Sequence, residues 1–116
     1  MTTATKHPIH GSIDAAACQQ GPNVARLIRV LDRVRPDGMK AIRAMEILGI
    51  PFRLCAAWTG ANGNGYRVEP HSAYVSFACI SAQANAVLQR HGWALCRAGG
   101  TYNDMIWIAE QERDHE

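Results

Sequence analysis

At Phe52 the hydrophobic period of this chain changes from 3.6 residues to 2. That switch limits the fold to helices first and strands mostly after. Upstream, Val24, Leu27, Ile28, Leu31 and Val34 recur at helical spacing, followed by Ala41, Ile42, Met45 and Leu48. Downstream, Phe52, Leu54, Ala56 and Trp58 alternate with Arg53, Cys55 and Ala57, the pattern of a half-buried strand. The class is α+β.

The spacing predicts a first helix over residues 23–34, opened by Gly21 and Pro22 with Asn23 as its N-cap. Arg35, Pro36, Asp37 and Gly38 form a turn, and Asp37 caps a second helix ending near Leu48. Gly49 and Pro51 stop that helix. A strand over 52–58, a loop of Gly and Asn over 59–65 and a short strand over 66–69 follow, closed by Pro70. Residues 73–80 read as a longer, central strand. Ser81 caps a third helix to His91, with Ala84, Val87, Leu88 and His91 inward, and Gly92 ends it. Strands over 93–98 and 104–109 flank a turn at 99–103. The order is ααβββαββ, a helical pair followed by a small, mostly antiparallel sheet. If 73–80 and 93–98 share that sheet, the third helix makes a right-handed parallel crossover between them.

A chain of 116 residues is one domain and buries enough surface to need no staple. The expected organisation is a mobile or loosely packed lead-in over 1–20, an α+β domain over 21–109 and an acidic tail over 110–116. Hydrophobic residues make up 47% and charged residues 19%, which excludes general disorder. No apolar run is long enough for a membrane span, and residues 1–10 hold no signal-type hydrophobic core. A cytoplasmic location is the default expectation. Cys18, Cys55, Cys79 and Cys96 form no C-x-x-C pair and read as small buried hydrophobes in a reducing compartment.

The formal charge of +2 conceals an asymmetry. Glu110, Glu112, Asp114 and Glu116 against Arg113 give the tail a net −3, so the rest carries +5. Arg26, Arg29, Arg33, Arg35, Lys40 and Arg43 against Asp32 and Asp37 place +4 on the helical pair. Arg26, Arg29 and Arg33 fall within an arc of about 60° on the first helix, opposite its apolar face. A positive stripe of this kind suits phosphate or carboxylate partners, and arginine contacts both bidentately.

The third helix presents Gln83, Asn85, Ala86, Gln89 and Arg90 outward, types that read base edges in a major groove. Arg97 stands at the base of the following hairpin and Tyr102 near its tip, as in a wing. Helix, helix, strand, helix and two-stranded wing resembles a winged helix-turn-helix in element order. The stretch over 59–79 is longer than that arrangement ordinarily allows.

The residues expected to meet a partner are therefore Arg26, Arg29, Arg33, Lys40, Arg43, Gln89, Arg90, Arg97 and Tyr102. The partner is anionic, either DNA or RNA or an acidic protein surface. No membrane contact, cofactor or metal is expected, and the oligomeric state is open, a dimer included. Two function classes follow. The first is a small nucleic-acid-binding regulator. The second is an inhibitor or adaptor of the phage or mobile-element type, anti-CRISPR-like or anti-restriction-like, with Trp58, Tyr66 and Tyr102 as aromatic anchors. Catalysis would need Cys79 or Cys96 beside His71 or His91, and no spacing in the sequence supports either pair. The His7-x-x-His10 pattern with Cys18 lacks partnered cysteines, and the glycines over 60–65 precede a strand rather than a helix, so neither reads as a ligand site.

Overall fold

The computed structural model describes residues 12–18, 20–60, 63–99 and 104–111. The elements are α1 (Ile13–Cys18), α2 (Pro22–Arg33), β1 (Met39–Lys40), α3 (Ala41–Ile47), β2 (Arg53–Gly60), β3 (Gly63–Glu69), α4 (His71–Gln89), β4 (Trp93–Ala98) and β5 (Met105–Glu110). Helices come first and small antiparallel sheets follow, an α+β architecture.

The core is built on α2. Val24, Ala25, Leu27, Ile28 and Leu31 are buried, and the facing residues are Phe77, Ala84, Val87 and Leu88 of α4 and Ile106 and Ile108 of β5. The alternation in β5 is the period-2 pattern expected of a sheet with one covered face. Gly21 stands at the N-cap of α2 with Pro22 at the first helical position, two residues earlier than the expected Asn23 cap.

Residues 73–80 are not a strand. They form the first half of α4, a 19-residue helix, and Ser81 lies inside it rather than at a cap. Ala73, Phe77, Ile80, Ala84 and Val87 recur at three- and four-residue spacing, so one face of a continuous helix buries them. Tyr74, Val75, Phe77 and Ile80 favour strands locally, but that burial along the whole helix outweighs the preference. The parallel crossover disappears with the strand. Cys79 moves from the expected core to the exposed face beside Val75, which is 45% exposed. Cys18 is also exposed, and Cys55 and Cys96 are only half-buried.

Among the described residues the strands form two sheets. Three strands lie in the order β1-β5-β4, and β2 and β3 form a separate ribbon. The two-residue β1, where the second helix was expected to begin, pairs Met39 with Ile106 and Lys40 with Met105. Asp37 therefore caps nothing; α3 starts at Ala41, whose N–H donates to the Asp104 carbonyl at 2.8 Å. The ribbon is paired out to Gly60 opposite Gly63, with a register shift between Ala56 and Trp58, and meets the body where β3 approaches α4.

This connectivity resembles a winged helix more closely than the sequence pattern does. The small strand falls between α2 and α3, the hairpin follows α4, and the ribbon replaces the short turn between α3 and α4. The stretch over 59–79 fits because its second part is helical.

The lead-in is partly structured. Ile13, Ala16 and Ala17 of α1 are buried in the core against α2. Among the described residues, no helix is long and apolar enough to cross a membrane.

Candidate functional site

The arginine stripe is where the helical pattern places it. Arg26, Arg29 and Arg33 are all exposed on α2. They border a groove of about 520 Å³ together with Ala25, Val30 and, from the end of α3, Ile47. Arg43 lies one turn before Ile47 on α3 and is also exposed. The groove has a cationic rim and aliphatic lining, with no aromatic residue among those bordering it.

The three guanidiniums differ in what they meet. Arg29 Nε donates to Asp14 Oδ1 of α1 at 3.3 Å, and its Nη2 approaches Cys18 Sγ at 3.8 Å. Both partners of that ion pair are largely exposed, which makes it weak. Arg26 and Arg33 have no ion pair among the described residues. Arg35, just past the helix, is committed elsewhere, donating to Asp32 at 3.0 Å and lying 4.8 Å above the Trp93 ring. Arg43 pairs with Glu46 at 3.2 Å, an exposed i,i+3 contact on α3.

The remaining predicted residues do not join this surface. Lys40 is exposed on β1, and Gln89 and Arg90 close the C-terminal end of α4. Asn85 was expected to face a groove. Its side-chain oxygen instead accepts the Leu95 N–H at 3.0 Å and ties α4 to β4. Arg97 is built into the fold: its Nε and Nη2 both donate to Asp104 Oδ2, and Nη2 also donates to the Tyr74 hydroxyl at 2.6 Å. Desolvation opposes the Arg97 charge, and the hydrogen bonds to Asp104 and Tyr74 overcome it and raise its pKa. Tyr102 lies outside the described residues.

A second polar cluster occupies the ribbon. Glu69 accepts from Arg67 at 2.6 Å, and from Arg53 and the Cys55 thiol at 3.2 Å each. The Arg67 hydrogen bond, and after it that of Cys55, holds the Glu69 carboxyl below the usual carboxylate range. As for catalytic pairs, His71 and Cys79 stand eight residues apart on α4, about 12 Å along its axis. Among the described residues no cluster of three or more His, Cys, Asp or Glu is placed to hold a metal.

Val30 and Ile47 of the groove, and Asp14 beside Arg29, are residues that sequence reasoning left out of the site. Val30 and Ile47 carried a signal, since Val30 flanks the arginine stripe one turn from Arg26 and Ile47 is spaced one turn from Arg43. Asp14 carried none, because only the packing of α1 on α2 brings it to Arg29. Compared with known proteins, the chain matches no family model, no curated protein and no solved structure.

Proposed function

We propose that this chain is a non-enzymatic nucleic-acid-binding protein whose α2 arginines take the phosphate backbone. The observation that carries the reading is the pair Arg26 and Arg33, exposed on α2 and free of carboxylates among the described residues. Guanidiniums left this way are ready to replace the counterions of a polyanion. The winged-helix-like connectivity supports the reading by analogy of fold alone. Val30 and Ile47 favour a second reading, in which the groove receives an acidic segment of a protein, as in an inhibitor or adaptor of the phage or mobile-element type.

A salt titration separates the two. Binding to nucleic acid at low salt should weaken with a log–log slope of about −2 to −3 if two or three arginines engage. Arg26→Glu with Arg33→Glu should remove it. Absence of binding to any duplex or single strand at low salt ends the first reading and leaves the second.

A further inference from the structure

We infer that the α2 arginines track one strand of duplex DNA without reading its sequence, and that the exposed face of α4 stays off the DNA. This rests on the nucleic-acid reading above. In a helix-turn-helix the helix in the place of α4 enters the major groove. Here the positive rail lies on a different helix and on the far side of it.

The directions follow from burial. Arg26, Arg29 and Arg33 lie opposite Leu27, Ile28 and Leu31, the face of α2 turned to the core and α4. On α4 the exposed residues Ser72, Val75, Ser76, Cys79, Gln83 and Ala86 lie roughly opposite Ala73, Phe77, Ala84 and Leu88. Each helix turns its outward face away from the other. Packed helices lie about 8–10 Å apart and each is about 10–12 Å thick, so the two faces are about 20 Å apart. One straight duplex touches one of them.

Charge selects the α2 face. From Ser72 to Gln89, α4 holds no charged residue. Arg97, which reaches Tyr74 on the first turn of α4, is taken by Asp104 and Tyr74. On α2 the rail from Arg26 to Arg33 spans seven residues, about 10 Å. Phosphates on one strand of B-form DNA rise about 3.4 Å each along the duplex axis and also wind round it, so they are spaced more widely along the strand and the rail reaches neighbouring phosphates of that strand. No aromatic residue borders the groove to stack an unpaired base, which favours duplex over single strand.

Fluorescence anisotropy at low salt tests this with the full chain, two unrelated DNA duplexes and a single strand of equal length. Both duplexes should bind within about twofold of each other and more tightly than the single strand. Arg26→Gln with Arg33→Gln should weaken both duplexes by about tenfold or more, with the fold checked by circular dichroism. Gln83→Glu with Ala86→Glu should leave them within about twofold. A large preference for one duplex, a preference for the single strand, or loss of binding on the α4 substitutions overturns the inference while the nucleic-acid reading stands. No binding to any of the three overturns both.

Discussion

The carboxylate of Asp104, 1% exposed, takes two N–H groups of Arg97 on a single oxygen and fixes the base of the β4–β5 hairpin. The same residue's backbone carbonyl receives the first N–H of α3, so one position joins hairpin, guanidinium and helix.

Removing Arg97 should therefore cost stability before it costs binding. Arg97→Met leaves a buried carboxylate unpaired, a change worth about 3 kcal/mol, less where water reaches the guanidinium site. Arg33→Met, on the exposed rail, should stay within about 0.5 kcal/mol of wild type in urea unfolding while weakening nucleic-acid binding. Equal stability of the two variants would show that Arg97 is no structural anchor.

Gly38 gives a second test of the same region. Its φ is +81°, and a Cβ there would meet the Ile106 carbonyl oxygen and lie 2.6 Å from Trp107 Cβ, both on β5. Gly49 has φ +77° with nothing within 4 Å of the same position. Gly49→Ala should cost about 1–2 kcal/mol, the backbone strain alone. Gly38→Ala adds a clash with main chain and should cost at least about 3 kcal/mol, or unfold the β1–β5 pairing. Similar thermal midpoints for the two variants would show that β1 does not lie where Met39 pairs with Ile106.

These two regions also mark what could be read from sequence. Leu27, Ile28 and Leu31 opposite three arginines specify α2 and its positive rim together, because burial and charge share one period. Ile106 and Ile108 do the same for β5 at period 2. The first half of α4 misleads, since Tyr74, Val75 and Phe77 favour a strand and only the spacing carried on through Ala84 and Val87 shows a helix. The two-residue β1 has no pattern of its own and exists through pairing with residues far along the chain. The Arg29–Asp14 contact is equally silent, because only the packing of α1 on α2 brings the two together; Arg97 and Asp104 lie at facing ends of the expected hairpin, but no pattern marked them as a pair.

The ribbon should respond to acid. Glu69 has its folded pKa lowered by Arg67 and Cys55, so its stabilising contribution is present above the ordinary glutamate value and is lost as pH falls through the folded value. Thermal midpoints measured from neutral pH to below the ordinary glutamate value, about 4.3, should fall more for wild type than for Glu69→Gln. Parallel curves would mean that the cluster of Arg53, Cys55 and Arg67 does not hold the carboxylate in solution.

Asp14 competes for one arginine of the proposed phosphate rail. Its pair with Arg29 is exposed, so breaking it should change folding stability little, by about 0.5 kcal/mol or less. Binding is another matter. With Asp14→Asn, Arg29 is free to join Arg26 and Arg33, and the log–log salt slope should steepen by up to about 0.9, one phosphate contact. Removal of any negative charge also favours a polyanion, so Asp37→Asn is the control: Asp37 is exposed and has no ion pair among the described residues. Asp37→Asn should raise affinity slightly at an unchanged slope. If Asp14→Asn behaves the same way, Arg29 is not a phosphate ligand and the rail reduces to Arg26 and Arg33.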